Sequence, residues 1–324
     1  GKVKIWSYIN NLHPDVHADL YKALEQIFER FVPLYNKTMT EALHPRDNRI
    51  AGSIDYDEKN EKTEDDFDND DDYYEWHSNR EPIQPVVPAF SPVSEPSTVV
   101  DLTGRTVQVI TKLANIHLTP EQPEYNGGVW HIEGMENERI IATGIYYYDT
   151  HNITESRLDF RLLVREPDYE QGDNHGVAAM YGLANEELLV QPLGGVLTEQ
   201  DRCIVFPNLY QHKVQPFKLA DPTKPGHRKI LCFFLVDPAT PVNSTANVPP
   251  QQAEWFRMEV DGNDGTLFDT LPNEIREIIM KQNDWPMSLD TAKKYREQLM
   301  KERKFFFDSK NEEIWERPFS LCEH

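Results

Sequence analysis

Between residues 99 and 236 the sequence repeats one pattern: short runs rich in β-branched and aromatic residues, separated by clusters of Gly, Pro, Asn and Asp. Helical periodicity is almost absent between these runs, so antiparallel sheets joined by short turns are expected. The predicted strands are 107–116, 140–148, 157–165, 188–192, 203–206 and 229–236, with further strands carrying His131 and starting at His212. A sandwich or a double-sheet jelly roll fits this succession best.

Helical spacing occurs on both sides of this β-rich part. Apolar residues recur every three or four positions from Pro14 onward, and Pro33 is expected to close that helix. Beyond the strands, helices are predicted at 252–258, 273–282 and 288–307, the last with Ser288 as its N-cap. We therefore predict a mainly β fold with flanking helices, in which a double-stranded β-helix (jelly-roll, cupin-like) core carries N- and C-terminal helical elaborations.

The chain is expected to divide into four parts. Residues 1–51 form an N-terminal helical segment that packs on the core, residues 98–240 form the double-stranded β-helix core, and residues 241–324 form a C-terminal helical extension. Residues 52–97 hold an acidic insertion and a Pro-rich linker. Between Asp55 and Glu75 there are twelve acids, two lysines and few aliphatic residues, so a solvated insertion or mobile loop is expected there.

The charge and the ends of the chain limit its partners and location. A formal net charge of -22 disfavours nucleic acid or an anionic membrane as partner, because phosphate would be repelled. No apolar run approaches the roughly twenty residues that cross a bilayer, and the first residues do not resemble a signal peptide, so a cytoplasmic protein is expected. The sequence begins abruptly at Gly1, and we expect an upstream segment.

The cysteines and two early histidines are expected to be structural. Cys203, Cys232 and Cys322 are far apart and form no paired-thiol motif, which indicates reduced thiols; the first two are predicted to be small core residues of apolar strands. His13 and His17 are four residues apart but have no third ligand nearby in sequence, so both are expected on the surface.

The stretch Trp130-His131-Ile132-Glu133-Gly134 contains the best metal-ligand candidates. Residues two apart in a strand share a face, so His131 and Glu133 would present an imidazole and a carboxylate side by side. A second imidazole, for which His212 is the candidate, would complete a 2-His-1-carboxylate facial triad of the kind that holds non-haem Fe(II). Such triplets also arise by chance, but His131 and His212 are both predicted at strand ends, where a barrel rim would place ligands.

Arg228 enters an apolar strand, and a charge in such a position needs a partner. A dicarboxylate co-substrate would supply one, because guanidinium binds carboxylate through two parallel hydrogen bonds. The alternative is an edge-strand arginine paired with a surface acid. Together with the metal-ligand candidates, the co-substrate role is the favoured hypothesis.

The order His131-x-Glu133, His212 and Gly226-x-Arg228 resembles that of the Fe(II)- and 2-oxoglutarate-dependent oxygenases. Longer motifs resemble a fungal family named only as domain of unknown function 4246; they are residues 113–121, 127–138, 146–149 and 225–238. This second resemblance covers most of the chain, from residue 10 through the core.

The broader resemblance implies that His131, Glu133 and His212 hold Fe(II), while 2-oxoglutarate chelates the iron and Arg228 binds its far carboxylate. With O2, oxidative decarboxylation would give succinate, carbon dioxide and a ferryl species that abstracts hydrogen from a small molecule. An amino acid or a secondary-metabolite intermediate would then undergo hydroxylation, desaturation or oxidative cyclisation. The chain departs from the superfamily in two ways: it has Glu where most members have Asp, and the long interval before Arg228 leaves Lys229 and His227 as rival anchors.

Two residues of the first long strand are further candidates. Asn115 and His117 share one face and could contact the inner carboxylate of the co-substrate, although polar residues satisfied by their neighbours are the simpler interpretation. Two other functions stay open: a cupin-like metalloprotein without 2-oxoglutarate, and a non-catalytic binding or scaffold protein.

Overall fold

The computed structural model describes residues 2–44, 53–57, 62–86, 89–90, 96, 98–170, 172–262, 270–282 and 286–321. The strands in these ranges are β1 (Val109–Leu118), β2 (Glu124–Tyr125), β3 (Ile140–His151), β4 (Arg157–Leu163), β5 (Val190–Leu197), β6 (Cys203–Pro207), β7 (Gln211–Val214), β8 (Phe217–Lys218) and β9 (Gly226–Val236). The helices are α1 (Ala18–Leu43), α2 (Asp70–Ser78), α3 (Asn174–Tyr181), α4 (Ala253–Gly262), α5 (Asn273–Gln282) and α6 (Leu289–Lys310).

The strands form antiparallel sheets, and their pairing is nested. A larger sheet has the order β1-β9-β3-β6, a smaller one has the order β5-β4-β7, and β2 pairs with β8. The first and last strands in the described part of the chain, β1 and β9, pair with each other, as do β3 and β6, and as do β4 and β5. An isolated bridge joins His131 to His212 of β7. The predicted mainly β fold with antiparallel sheets and flanking helices is confirmed, and the described strands form no closed barrel.

One hydrophobic core lies between the larger and the smaller sheet. Ile145, Phe206 and Phe234 of the larger sheet pack with Leu158 and Phe160 of β4. Because successive residues of a strand point to opposite faces, every second residue of β9 faces this core and the others face outward.

Helix α1 covers the outer face of the larger sheet. Phe31 and Tyr35 are both fully buried against Phe233, and the Tyr35 hydroxyl donates a hydrogen bond of 2.5 Å to the Phe233 carbonyl oxygen. The helix approaches β3 so closely that a Cβ on Gly144 would lie 2.6 Å from the Tyr35 hydroxyl oxygen. Glycine at this position therefore sets the distance between helix and sheet.

The prediction that Pro33 closes this helix is wrong, because α1 continues through Pro33 to Leu43. Phe31 and Tyr35 lie on either side of the proline and are both 0% exposed. Their burial offsets the cost of about 3 kcal/mol that a proline imposes within a helix.

The acidic segment contains more structure than its composition predicts. Residues 70–78 form α2, and Phe67, Tyr73 and Trp76 pack their rings together. Farther along, the Arg80 guanidinium pairs with the Glu170 carboxylate at 2.5 Å. The aromatic side chains supply apolar area that a count of aliphatic residues misses. Parts of the acidic run and of the Pro-rich linker lie outside the described residues.

Three predictions about single residues have different outcomes. Cys232 is buried as expected, whereas Cys203 is exposed because it begins the edge strand β6 and points outward. Cys322 lies outside the described residues. His17 is exposed, but His13 is buried beside Trp255, contrary to the surface position expected for it. Within the described ranges, no helix has the length and apolar character needed to cross a membrane.

Candidate metal centre

His131 and His212 face each other across a backbone bridge. The backbone N–H of His131 donates to the His212 carbonyl oxygen at 3.2 Å, and the backbone N–H of His212 donates to the His131 carbonyl oxygen at 2.9 Å. Directly opposed residues of an antiparallel pair project their side chains to the same face. The ring centroids consequently lie only 4.3 Å apart, although the two residues are far apart in sequence.

Glu133 reaches the two histidines through a bend rather than through strand alternation. The chain turns at Gly134, whose φ of +71° suits glycine, so no regular strand continues from His131. The Asn208 amide holds this bend: its oxygen accepts the Glu133 N–H at 2.8 Å, and its nitrogen donates to the carbonyl oxygens of Glu133 and Ile140 at 2.8 and 2.9 Å. The expected juxtaposition of His131 and Glu133 is present, but its cause is the Asn208 clamp.

The three side chains present their donor atoms to one small volume. Glu133 Oε1 lies 3.3 Å from His212 Nε2 and 3.9 Å from His131 Nε2, and one ligand atom of each residue lies within 4.8 Å of the others. Adjacent donors of an octahedral ion with bonds near 2.1 Å are about 3.0 Å apart. Only a small inward movement of the side chains would therefore be needed to coordinate a divalent metal.

The hydrogen bonds of the two imidazoles are also consistent with metal binding. His131 Nδ1 lies 2.8 Å from the Val129 carbonyl oxygen, and donation to that oxygen leaves the Nε2 lone pair directed at the site. His212 is 3% exposed, and its Nδ1 is a buried atom without a hydrogen-bond partner among the described residues. A metal bound at Nε2 of His212 would compensate for part of the cost of burying this ring.

Burial and mutual charge set the protonation of these ligands. Burial lowers the pKa of His131, and the neighbouring His212 lowers it further. For Glu133, burial alone would raise the pKa, but the hydrogen bond and charge of His212, together with the charge of His131, outweigh it and lower the pKa. A neutral imidazole and an ionised carboxylate are the forms that bind metal.

Arg228 lies on the same inner face of β9 as Cys232 and is 3% exposed. Its Nη1 donates to Ser156 Oγ at 2.9 Å, and its guanidinium lies 5.6 Å from the Tyr147 ring centroid and 5.3 Å from that of Phe217. Its Nε has no hydrogen-bond partner in the part of the chain that the structure describes. No carboxylate of the described residues lies within 4.0 Å of this guanidinium. Burial lowers the pKa of Arg228, as expected for a cation without a counter-ion.

The two rival anchors point away from the core. His227 and Lys229 alternate with Arg228 along β9 and both contact Asp149, at 2.9 Å from His227 Nε2 and 2.7 Å from Lys229 Nζ. Asp149 itself belongs to β3, opposite Lys229. The charge on this outer face is therefore already paired, whereas the charge of Arg228 is not.

Asn115 and His117 are also on the outer face, which differs from the co-substrate contact predicted for them. They pair with Lys229 and His227 across the sheet, and opposed residues share a face. Asn115 accepts a hydrogen bond from the Tyr148 hydroxyl, and the rings of His117 and His227 lie 6.0 Å apart. The structure does not bring these two residues to the metal-ligand cluster.

The C-terminal end of α6 covers the cluster, a contact that sequence reasoning missed. The Phe307 ring lies 6.3 Å from that of His131, and Arg303 pairs with Glu138 at 2.6 Å. In the π-helical turn that follows α6, Asn311 donates to the Trp130 carbonyl oxygen at 3.3 Å.

A buried polar network continues from this turn into the smaller sheet. Gln211, the residue before His212, donates to Asn311 Oδ1 at 2.6 Å and accepts from Arg161 Nε at 2.6 Å. The Arg161 guanidinium also lies 4.8 Å from the Trp130 ring centroid. Each of these side chains neighbours a ligand in sequence or contacts such a neighbour, so the network fixes both histidine-bearing segments.

Comparisons with known proteins give a family but no reaction. A comparison with curated proteins gives no significant match. Among solved structures, one match is hydroquinone 1,2-dioxygenase PnpCD in complex with Cd2+ and 4-hydroxybenzonitrile, at 15% sequence identity and a TM-score of 0.21. The match covers 43% of the present chain and 65% of the dioxygenase chain. A TM-score of this size supports no inference about the present fold or activity. Residues 1–259 match the family described as "Protein of unknown function (DUF4246)", and the chain belongs to that family.

Proposed function

We propose that this protein is an Fe(II)- and 2-oxoglutarate-dependent oxygenase that oxidises a small molecule. The observation that carries the proposal is the pairing of two features on the inner faces of the sheets. Three side chains that could hold a metal ion converge there, and Arg228 is buried there without a carboxylate among the described residues. A metal-chelating dicarboxylate would satisfy both features.

The strand pairing supports a double-stranded β-helix as the finer description of the core, residues 98–240. We count the segment at His131 as a strand and leave out the two-residue strands β2 and β8. The eight strands then form nested pairs: β1 with β9, the His131 segment with β7, β3 with β6, and β4 with β5. A jelly roll is built from eight strands in two Greek keys, and nested antiparallel pairs are what such winding produces.

Each residue then has a defined role. His131, Glu133 and His212 would hold the iron, leaving coordination positions for 2-oxoglutarate and O2. Bound iron would supply the site of O2 activation and of substrate oxidation. Arg228 would bind the far carboxylate of 2-oxoglutarate, with Ser156 fixing the guanidinium.

Cys232 is close enough to both Glu133 and Arg228 for their charges to act on its thiol. Burial, and after it the charge of the Glu133 carboxylate, raise the pKa of its thiol to about 12 against the opposing charges of Lys112 and Arg228. A neutral thiol at this position would pack against the co-substrate and would not compete with it for the metal. An amino acid or a secondary-metabolite intermediate remains the proposed substrate class, with hydroxylation, desaturation or oxidative cyclisation as the proposed outcome.

Anaerobic titration with Fe(II) and 2-oxoglutarate tests the proposal. The wild-type protein should develop a weak visible charge-transfer band and should form succinate when O2 is admitted. His131→Ala should lose both signals. His151→Ala is the matched control and should keep both signals. His151 is the last residue of β3, and its ring centroid lies 5.9 Å from that of His227 on the outer face of the sheet.

Three other results would redirect the assignment. Metal binding without a band, and without a rise in melting temperature on addition of 2-oxoglutarate, would indicate a cupin-like metalloprotein that uses no such co-substrate. Absence of metal after reconstitution would indicate a binding or scaffold protein. Equal loss of the band in His151→Ala and His131→Ala would refute the assignment of the ligands.

A further inference from the structure

A second group of metal-ligating side chains lies outside the β core, where the N-terminal segment meets α4. One ligand atom each of His13, Asp15 and Glu259 lies within 4.8 Å of the others. His13 is 8% exposed, whereas Asp15 and Glu259 are on the surface. We propose that these three residues bind a divalent transition-metal ion, independently of the site at His131.

A cavity beside His13 supports this proposal. It has a volume of about 250 Å³, and His13 and Glu259 both line it. The remaining walls are aromatic or proline side chains: Tyr8, Trp255, Phe256, Pro14, Pro249 and Pro250. Two potential ligands thus border an otherwise apolar space that is large enough for an ion and its remaining water ligands.

The His13 imidazole is oriented but weakly hydrogen-bonded. Its ring packs edge-on against Trp255, with centroids 4.9 Å apart and an interplanar angle of 71°. Nδ1 accepts a long hydrogen bond of 3.3 Å from the Asp15 N–H, and Nε2 makes none within the described part of the chain. The lone pair of Nε2 is therefore available to a metal ion in the tautomer that carries its proton on Nδ1.

The donor set favours a metal over an organic cation. One imidazole nitrogen and two carboxylate oxygens suit Zn(II), Mn(II), Fe(II) or Co(II), and the ion would neutralise the two acids. Binding through Nε2 would require the tautomer with a proton on Nδ1, so the bond from Asp15 would be given up. That bond is long and therefore weak, so its loss costs little.

The site would join the N-terminal segment to α4. Residues 7–11 already contact residues 245–252 through three hydrogen bonds: Ser7 with Thr245 at 2.8 Å, Tyr8 with Val248 at 2.9 Å and Gln252 with Asn11 at 3.2 Å. A metal held between Asp15 and Glu259 would extend this contact by one more link. Its role would be structural, namely to hold α4 against the N-terminal segment.

The test counts bound Co(II) per chain in a variant that lacks the first site. The His131→Ala/His212→Ala protein is first stripped of metal with a chelator and then dialysed against Co(II) alone. It should bind one equivalent of Co(II) per chain. Adding Glu259→Gln should weaken this binding at least about tenfold, since a charged ligand is lost. Glu259 is exposed, so this change should leave folding intact. His17→Gln, which alters an exposed histidine on the adjacent turn, is the matched control and should have no effect.

The outcomes separate this inference from the proposed function. If the wild-type protein binds one equivalent of Co(II) and the His131→Ala/His212→Ala protein binds none, the second site is overturned and the first stands. The second site is also overturned if the double variant binds one equivalent of Co(II) that neither Glu259→Gln nor His13→Gln weakens. One wild-type equivalent that survives the double substitution but is lost with Glu259→Gln would support the second site and refute the first.

Discussion

Replacing Arg228 by Met should weaken co-substrate binding far more than it weakens folding. In the metal-free protein the guanidinium donates a hydrogen bond to Ser156, its one such bond to a described residue, and lies near the Tyr147 and Phe217 rings. Loss of these contacts costs roughly 2–4 kcal/mol. Relief from burying an unpaired cation offsets several kcal/mol, so the free energy of unfolding should fall by no more than about 1 kcal/mol.

Binding of 2-oxoglutarate should weaken far more. Two parallel hydrogen bonds from a guanidinium to a carboxylate contribute about 1.5–3 kcal/mol each. Their loss should raise the Kd for 2-oxoglutarate more than about 100-fold. Urea unfolding of metal-free protein would give the first quantity, and anaerobic calorimetric titration in the presence of Mn(II) would give the second.

Lys229→Met is the matched control, because Lys229 is the next residue on β9 but points outward to Asp149. It should leave the Kd for 2-oxoglutarate within about twofold of wild type, because its half-buried ion pair with Asp149 lies on the outer face of the sheet. An Arg228→Met protein that is destabilised by several kcal/mol while its Kd is unchanged would refute the reasoning. Arg228 would then be a structural residue, and the missing counter-ion would have no functional meaning.

Three further predictions concern the ligands and the helix–sheet contact. Asn208→Asp should weaken metal binding at least about tenfold, because a carboxylate would repel the Glu133 carbonyl oxygen that the amide now holds; equal Co(II) affinities would contradict the clamp. Because the pKa of His131 is lowered, the unfolded chain takes up a proton near pH 6.5 while the folded chain does not. The free energy of unfolding of metal-free protein should therefore fall as the pH drops below about 6.5, and His131→Gln should reduce that slope in urea titrations between about pH 7.5 and 5.5; identical slopes would refute this origin. Gly144→Ala should destabilise the protein by about 1–3 kcal/mol, since its Cβ would lie 2.6 Å from the Tyr35 hydroxyl oxygen; an unchanged urea midpoint would show that α1 can shift.

The strands and the ligand candidates could be predicted because both depend on local pattern. Apolar and β-branched runs identify β3 and β9 to within a few residues, and turn residues mark their ends. Alternation also separates Arg228 from its neighbours once the buried face of β9 is known. The sequence alone left that choice open, because His227, Arg228 and Lys229 stand in a row and nothing local states which face is covered.

The support around the ligands could not be predicted, because it comes from distant parts of the chain. Asn208 holds the Glu133 backbone from 75 residues away, and Phe307 reaches His131 from the C-terminal helix. Periodicity within α6 predicts a helix with apolar residues on one face and solvated Lys and Glu on the other, but it does not show what the helix covers. Such contacts follow from the tertiary arrangement, which overrides local preference.

The nested pairing of the strands also determines the order in which the protein can be completed during synthesis. Helix α1 is made before all of the described strands, yet its apolar residues pack on β3 and on β9, the last of those strands to be made. Leu24, Phe28, Phe31 and Tyr35 therefore lack their final partners until residue 236 has left the ribosome. A fold of such long-range contacts closes slowly, and the exposed stripe of α1 is the surface at which a nascent chain would need a chaperone.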